Sequence, residues 1–395
     1  MSRREDFFQY QAQTTDFASG FEVERAEGCY IYERNGKRYL DLVAGVSACN
    51  MGHGHPKINA AIKAQIDDYL HVMVYGEYVQ GAPVELSKRL ASLLPDPLES
   101  VYLVNSGTEA IEGALKLAKR YTRRSNIVAA RGAYHGATHG SLSVTGNHGW
   151  TRSMRPLLPG VKFLTFNNED ELALIDEATA AVILETIQGA NGFVTPESDY
   201  LHKVRERCNE TGTLLIFDEI QPGFGRTGKL FGFEHYGIVP DILCIGKAMG
   251  GGLPIGAFVS SKKIMDVLRR NPMLGHITTF GGHPVMAAGA LAHLDALYEE
   301  EVMDKIAEKE ARFRAGLEHP AVEAVTGKGL MLAAHLDGAE SVQKVAKLAM
   351  EKRLILFWLL FKGNALRITP PLIINDEQID WACKVIRECL DEVSA

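Results

Sequence analysis

Residues 214–221 read Leu-Leu-Ile-Phe-Asp-Glu-Ile-Gln, and residues 241–252 read Asp-Ile-Leu-Cys-Ile-Gly-Lys-Ala-Met-Gly-Gly-Gly. Each stretch contains a short apolar run that ends in a charged side chain, Asp218 in the first and Lys247 in the second. Such a run predicts a strand buried beneath helices on both faces of a sheet. Open α/β sheets bind ligands at the carboxyl ends of their strands. The two stretches therefore predict an α/β protein with a ligand site at Asp218 and Lys247.

The charges at these two strand ends each have two interpretations. Burial lowers the pKa of a lysine, which suits Lys247 to act as a nucleophile, and the glycines after it allow a flat ligand to approach the backbone. A lone lysine at this place is otherwise a surface side chain whose stem is buried. An ionised Asp218 needs a cation nearby, which could be a ligand, a structural arginine or a metal ion.

The same alternation of strands and helices extends in both directions, from about residue 55 to residue 295. Predicted helices include Thr108–Tyr121 and Tyr200–Thr211. The predicted strands are Ser100–Val104, Asn126–Ala130, Val161–Phe166, Ala181–Glu185, Leu214–Asp218, Ile242–Ile245 and Gly256–Ser260.

Residues 1–50 contain a predicted hairpin with its turn at Asn35-Gly36. Residues 51–295 form the predicted large domain. Beyond about residue 296 the composition changes, which predicts a second, smaller α+β domain over residues 296–395. In this last part we expect a charged helix over Glu299–His319, a strand near Gly329–His335, a buried strand over Leu354–Phe361 and a final helix over Asp376–Val393.

Composition and charge exclude several classes of protein. The 395 residues carry a net charge of -7, which argues against nucleic acid or an anionic membrane as a partner. The longest apolar run, Leu354–Phe361, is too short to span a bilayer, and the polar N-terminus is no secretory signal. The six cysteines form no CxxC pair, and His53 and His55 have no carboxylate or thiol partners nearby in sequence, so we expect no metal site. These features together predict a cytoplasmic protein.

A third stretch, Val104-Asn105-Ser106-Gly107-Thr108-Glu109, runs from a predicted strand into a long predicted helix. Free N–H groups and the helix dipole make such a helix start a place where a phosphate can bind. Ser106, Gly107 and Thr108 are therefore candidate phosphate-binding residues. The same sequence is also an ordinary helix cap, so this motif alone is weakly specific.

Taken together, these stretches resemble the class III aminotransferases of the ornithine, acetylornithine and 4-aminobutyrate type. The resemblance rests on Phe217-Asp218-Glu219-Ile220-Gln221-Pro222-Gly223-Phe224-Gly225-Arg226-Thr227-Gly228, followed by Gly246-Lys247-Ala248-Met249-Gly250-Gly251-Gly252, and it covers nearly the whole chain. It implies the pyridoxal 5'-phosphate (PLP)-dependent transferase fold of type I. In that fold a large PLP-binding domain has a mostly parallel central sheet sandwiched by helices, and the small domain is built from both termini.

The resemblance also implies a role for each matching residue. Lys247 binds PLP covalently as a Schiff base, Asp218 pairs with the pyridinium nitrogen, and Gln221 bonds the ring hydroxyl side. The remaining implied PLP contacts are phosphate binding by Ser106, Gly107 and Thr108, stacking by Tyr134 with His135 beside it, support from Glu185, and Thr279 reaching the phosphate of a neighbouring subunit. This last contact implies a homodimer with shared active sites. The implied substrates are an amino donor and an oxo acid that react in turn.

This chain departs from the family pattern around the substrate. Ala137 stands where many members carry an arginine, Ala190 stands where others carry a gating glutamate, and Thr186 replaces a proline. Arg367 is retained without that glutamate, so we predict that it binds a substrate carboxylate, with a structural ion pair as the alternative. Tyr75 and Glu77 match a segment that lines the partner's substrate pocket, although Glu77 is equally well explained as a solvated loop acid.

Other functions remain open on the sequence alone. An acetylornithine- or ornithine-like aminotransferase is the main hypothesis, and a broad ω-amine:pyruvate transaminase is the alternative. A PLP-dependent aminomutase, decarboxylase or racemase of the same fold has similar motifs, as does a relative that has lost its cofactor. Gly223–Lys229 also matches a P-loop, but Leu230 stands where that motif needs a hydroxyl.

Overall fold

Three β-sheets and thirteen α-helices make up the computed structural model, which describes residues 2–197 and 199–394. The strands are β1 (Val23–Glu27), β2 (Tyr30–Glu33), β3 (Arg38–Asp41), β4 (Ser100–Val104), β5 (Asn126–Ala130), β6 (Val161–Leu164), β7 (Thr179–Glu185), β8 (Leu214–Asp218), β9 (Ile242–Ile245), β10 (Gly256–Ser260), β11 (Ala324–Lys328), β12 (Met331–His335), β13 (Leu354–Ile355), β14 (Phe357–Trp358) and β15 (Ala365–Ile368).

The helices range from one turn to five turns. They are α1 (Arg3–Tyr10), α2 (Ala44–Ser47), α3 (Pro56–Asp68), α4 (Gly81–Leu93), α5 (Gly107–Thr122), α6 (His139–Ser143), α7 (His148–Thr151), α8 (Tyr200–Thr211), α9 (Lys262–Met265), α10 (Pro284–Glu299), α11 (Ile306–Gly316), α12 (Ala339–Glu351) and α13 (Asp376–Ser394). Within the described ranges, no helix combines the length and the apolar character that crossing a membrane requires.

The central sheet has seven strands in the order β4-β10-β9-β8-β7-β5-β6. All neighbouring pairs are parallel except those of β10, which is antiparallel to both β4 and β9. Glu185 of β7 lies opposite Asp218 of β8, so two acidic side chains end adjacent strands at the same edge. The mostly parallel sheet agrees with the predicted fold class.

Helices cover both faces of this sheet. Alternate residues of a strand point to opposite faces, and Ile216 and Phe217 accordingly belong to two different apolar cores. The core that contains Ile216 is closed by α5, whereas the core that contains Phe217 is shared with α8 and α10. Burial on both faces explains why these strands are apolar throughout rather than alternating.

The two ends of the chain meet in a separate sheet, in the order β1-β2-β3-β13. Strand β13, from the C-terminal part, pairs in parallel with β3, through Leu354 opposite Leu40. A third sheet, in the order β11-β12-β15-β14, belongs to the C-terminal part alone. The domain boundaries at residues 50/51 and 295/296 stay a prediction.

Two predicted elements near the C-terminus are wrong. The predicted buried strand Leu354–Phe361 is instead two two-residue strands, Leu354–Ile355 and Phe357–Trp358, which belong to different sheets. An apolar run does not reveal whether one element or several bury it. The predicted helix Glu299–His319 is also shorter, because α10 ends at Glu299, a 3₁₀ turn covers Val302–Lys305 and α11 begins at Ile306.

Candidate active site

A cavity of about 480 Å³ opens at the carboxyl edge of the central sheet. Nine of the residues that the sequence singled out line it together: Gly107, Thr108, Tyr134, His135, Glu185, Asp218, Gln221, Lys247 and Arg367. They come from segments up to 260 positions apart in sequence (367 − 107 = 260). Meeting in one cavity is therefore a result of the sheet order and of the tertiary position of β15, which brings Arg367 to the same cavity.

Lys247 lies two residues after the end of β9, at the start of a 3₁₀ turn. Its φ is +43°, a conformation that side-chain-bearing residues rarely adopt and that occurs preferentially at functional sites. Burial lowers the pKa of Lys247 to about 8, although the nearby Asp218 acts in the opposite direction. A larger fraction of this amine than of an exposed lysine is therefore uncharged and nucleophilic near neutral pH.

Asp218 is held in a fixed orientation by two donors. Its Oδ2 lies 2.7 Å from His135 Nδ1, and its Oδ1 accepts the backbone N–H of Ile220 at 3.0 Å. The side chain of His135 is fully buried, and its Nε2 has no partner among the described residues. A carboxylate that is supported in this way is ready to accept a cationic N–H group of a ligand.

Glu185 lies beside Asp218 and anchors two loops that shape the cavity. Its carboxylate accepts the backbone N–H of Tyr134 at 3.2 Å and of Gly189 at 2.9 Å. Burial raises the pKa of Glu185 to about 7. Gln221 completes this side of the cavity, with its amide donating to Ser47 Oγ at 3.4 Å.

The start of α5 faces the cavity with Gly107 and Thr108. The first turn of a helix leaves its N–H groups free, so they are available to an anion. Ser106 does not line the cavity, and its hydroxyl caps the helix by accepting from Glu109 N at 3.3 Å. The hydroxyl of Thr108 lies 2.8 Å from Thr138 Oγ1 and 2.7 Å from Ser141 Oγ, which fixes its position.

Arg367 lines the same cavity from β15 and is 7% exposed. Its Nε and Nη1 atoms have no hydrogen-bond partner within the described part of the chain. Burial lowers the pKa of Arg367 to about 10, and no carboxylate in the described part of the chain counteracts this effect. An unpaired buried guanidinium that faces a cavity is suited to bind a carboxylate with two parallel hydrogen bonds.

Comparison with known proteins supports an aminotransferase site over nearly the whole chain. The family model described as Aminotransferase class-III matches residues 10–390. The chain belongs to this family.

Individual relatives support the assignment. An acetylornithine aminotransferase of Caldanaerobacter subterraneus subsp. tengcongensis is 36% identical over 93% of this chain and 94% of the relative. A putrescine aminotransferase of Pectobacterium atrosepticum is 37% identical over 98% and 85%. An ornithine aminotransferase of Toxoplasma gondii, solved with partial occupancy of PLP at its active site, has a TM-score of 0.92 and 29% identity, over 99% of this chain and 95% of that one. This protein is therefore a PLP-dependent aminotransferase of fold type I.

The residues that line the cavity of this aminotransferase fit PLP. The helix start at Gly107 suits the phosphate, and a Cβ at Gly107 would come within 2.8 Å of the Ile220 side chain, so the backbone has no room to spare. The supported carboxylate of Asp218 suits a protonated ring nitrogen, and the buried amine of Lys247 suits an aldehyde.

Sequence reasoning missed part of the cavity wall. Phe357, Trp358 and Leu360 line it, although the run that contains them was interpreted as one buried strand. Phe361, next in sequence, and Trp150 both pack edge-on against Tyr134, with ring centroids 6.2 and 5.7 Å away. Three aromatic side chains within an apolar run were the available signal, but the run could not show which side chains face a cavity.

Three residues with a predicted role in the partner subunit's site lie outside this cavity. Tyr75 lines a second cavity, of about 340 Å³, together with Thr278. Neither Thr279 nor Glu77 lines either of these two cavities, although both directly follow residues that line the second one, Thr278 and Gly76. Their predicted roles concern a second subunit and stay predictions.

Two other ligand types find no support here. Gly223–Lys229 is not followed by a long helix, and the Lys229 amine donates to Glu234 O at 3.0 Å, so this loop is not a P-loop. Within residues 2–197 and 199–394, no three His, Cys, Asp or Glu side chains are grouped to hold a metal ion.

Proposed function

We propose that this aminotransferase moves an amino group, often a terminal one, from an amino acid or amine to an oxo acid such as 2-oxoglutarate or pyruvate. The single observation that carries the proposal is that Lys247, Asp218 and the unpaired Arg367 line one cavity. The names of the relatives support acetylornithine, ornithine or a diamine as donor classes.

The side chains divide the work between cofactor and substrate. PLP, when bound, supplies an electron sink for the bonds of the substrate carbon. Lys247 Nζ would move a proton between that carbon and the cofactor's C4′ carbon, while Asp218 would keep the ring nitrogen protonated. Gly107 and Thr108 would bind the phosphate, Tyr134 would pack on the ring, and Gln221, with Glu185 beside it, would hold the ring's hydroxyl side.

Arg367 provides the test of this assignment. Replacing it (Arg367→Ala) removes the charged hydrogen bonds to the substrate carboxylate, so we expect the KM of the oxo acid to rise by at least about tenfold, the effect of a lost charged hydrogen bond. Cofactor content, measured by absorbance, should stay at the wild-type level. An unchanged KM would refute the role of Arg367 and, with it, the proposed carboxylate site.

A second candidate, an ω-amine:pyruvate transaminase, is favoured by the charges in the cavity. Apart from Lys247, Arg367 is the one arginine or lysine among the described cavity residues, and Ala137 and Ala190 add no charge. A single cation is better suited to pyruvate, which has one carboxylate, than to 2-oxoglutarate, which has two. Comparing pyruvate with 2-oxoglutarate as acceptors, in the wild type and in Ala137→Arg, separates the candidates. If the second candidate is right, the wild type prefers pyruvate and the added arginine shifts that preference toward 2-oxoglutarate.

We also propose that the protein works as a homodimer in the cytoplasm. Exposed apolar side chains support a dimer, including Val79, which stands in sequence between two residues that line the second cavity, at 92% and Met273 at 78% exposure. All six cysteines are free thiols, which is in keeping with a reducing compartment.

A further inference from the structure

Arg226 is a fully buried arginine that joins three separate parts of the chain. Its Nη1 donates to Leu330 O at 3.0 Å and to Pro370 O at 2.6 Å, and its Nη2 donates to Asn50 Oδ1. The side chain is 0% exposed. One planar guanidinium therefore holds three chain segments in a fixed relative orientation.

The charge of Arg226 is not neutralised by a paired acid. No carboxylate lies within ion-pair distance of it in the described ranges, and its Nε has no partner there. Burial lowers the pKa of Arg226 to about 9. Removing a charge from water costs several kcal/mol. An apolar side chain of similar volume would fill the same space at a lower free-energy cost, so packing alone does not explain an arginine here.

Two of the three acceptors lie at the ends of β12 and β15, and β15 contains Arg367. Leu330 directly precedes β12 and Pro370 follows β15 by two residues, and in this antiparallel pair Ala333 lies opposite Arg367. Leu330 also donates its N–H to Arg226 O at 2.9 Å, so each of these two residues donates a hydrogen bond to the other. Pro370 is three residues from Arg367, about 10 Å along an extended strand.

Arg226 itself belongs to a loop of the proposed cofactor site. Arg226 lies in the loop that leaves β8 after Asp218 and contains Gln221. Asn50, the third acceptor, returns a hydrogen bond to this loop through Nδ2 to Phe224 O at 2.7 Å. Arg226 thus connects the loop that holds the cofactor ring to the strands that hold the carboxylate-binding arginine.

We propose that Arg226 is a positioning residue that sets the separation between Arg367 and the Lys247–Asp218 pair. The proposal rests on the carboxylate-binding role proposed for Arg367. Misplacement of a binding group by about 1 Å can lower a rate by ~100-fold, and an intact guanidinium fork limits such movement. The expected defect of an Arg226 variant is therefore weak carboxylate binding with an intact cofactor site.

The test is Arg226→Lys, which keeps the charge but cannot bind three oxygens in the same plane. Purified with PLP, the variant should show a wild-type absorbance spectrum and PLP dissociation constant, whereas the KM of the best oxo acid should rise about tenfold or more. A second readout is the double variant Arg226→Lys/Arg367→Ala. Its kcat/KM should equal that of Arg367→Ala alone, because Arg226 acts through Arg367.

The matched control is Arg124→Lys. Arg124 also donates to two backbone carbonyls, Thr179 O at 3.1 Å and Thr211 O at 2.9 Å, but these lie at the opposite end of the central sheet. We expect it to lower stability without changing the KM of the oxo acid. If Arg226→Lys does not fold, Asn50→Ala removes a single acceptor and should raise the same KM more moderately.

Three results would overturn the proposal. The first is an unchanged KM in Arg226→Lys, and the second is an equal loss of PLP and carboxylate binding. The third is a further drop in kcat/KM when Arg226→Lys is added to Arg367→Ala. Failure of the carboxylate site itself is seen separately, as an unchanged KM in Arg367→Ala alone.

Discussion

At the scale of single residues, Glu219, the residue after Asp218, is a carboxyl group buried away from water. Glu219 is 0% exposed and accepts hydrogen bonds from the Thr186 hydroxyl at 2.6 Å, from Gly232 N at 2.7 Å and from Phe233 N at 2.8 Å. Thr186 stands where the resemblance led us to expect a proline, and its hydroxyl supplies a donor that proline lacks. Burial nevertheless raises the pKa of Glu219 to about 7.

A pH dependence of stability follows from this raised pKa. The folded pKa of about 7 exceeds the usual value of 4.5, so the folded state binds the proton more tightly than the unfolded state does. The resulting stabilisation is complete below pH 4.5 and is lost as the pH rises through 7. In Glu219→Gln this contribution is absent, although hydrogen bonds are lost as well.

The measurement is the thermal unfolding midpoint of both proteins, with PLP bound, from pH 5 to pH 8. We expect the wild-type midpoint to fall more steeply with pH than that of Glu219→Gln, so that the difference between them shrinks. Glu185, whose pKa is also raised, is present in both proteins and cancels in the difference. Parallel curves would show that Glu219 does not titrate in this range.

At the scale of elements, the start of α5 is held against the loop that follows β8. A Cβ at Gly107 would meet Ile220 Cδ1 at 2.8 Å and Ile220 Cγ2 at 2.9 Å. Ile220 also donates its N–H to Asp218. Ile220 therefore connects the two sites, because its side chain lies against the helix start proposed to bind phosphate and its N–H holds the acid proposed to bind the ring.

Gly107→Ala should separate these two elements and lower PLP affinity by about tenfold, since overpacking costs 1–3 kcal/mol. Ile220→Ala removes the side chain that the new methyl group meets. We expect the double variant to bind PLP more tightly than Gly107→Ala alone, as measured by fluorescence titration of the cofactor-free protein. Strictly additive effects of the two substitutions would contradict this contact.

The order of these elements was largely predictable. Strands β4, β5, β8, β9 and β10 have the predicted boundaries. Burial on both faces explains the apolar runs of the inner strands β8 and β9, whereas β4 is an edge strand that is only partly buried. The split of residues 354–361 between two sheets was not predictable, since local sequence does not contain the partner of each short strand. The aromatic wall of the cavity was missed for the same reason.

At the scale of the whole molecule, some predicted site residues lie outside the cavity that contains Lys247 in the single chain. Thr278, next to Thr279, lines a second cavity with Tyr75, separate from the cavity at Lys247. Exposed Tyr78, Val79 and Met273 lie in the same two segments of the chain. A second copy of the chain that covers this surface would bring Thr279 to the partner's PLP site, as the resemblance implies.

Hybrid dimers test this arrangement. Lys247→Ala and Thr279→Asp each damage both sites of a homodimer, but a hybrid of the two has one intact site if the sites are shared. Co-expression should restore about a quarter of wild-type activity, because half of the dimers are hybrids with one good site each. The control pairs Lys247→Ala with Asp218→Asn, which act in the same subunit, so those hybrids should gain nothing. Equal results for both pairs would exclude shared sites.

The sequence by itself determined the chemistry of this protein. The apolar strands that end in Asp218 and Lys247, the helix start at Gly107 and the resemblance to class III aminotransferases identify the cofactor, because those features are local and need only a few adjacent residues. Only the tertiary structure showed which groups share the cavity with the cofactor-binding candidates. The unpaired state of Arg367 among the described residues, the hydrogen bond from Arg226 to Pro370 and the aromatic wall at Phe357 and Trp358 arise between segments far apart in the chain. Burial and pairing depend on the partners that folding brings together, and no single stretch of sequence contains them.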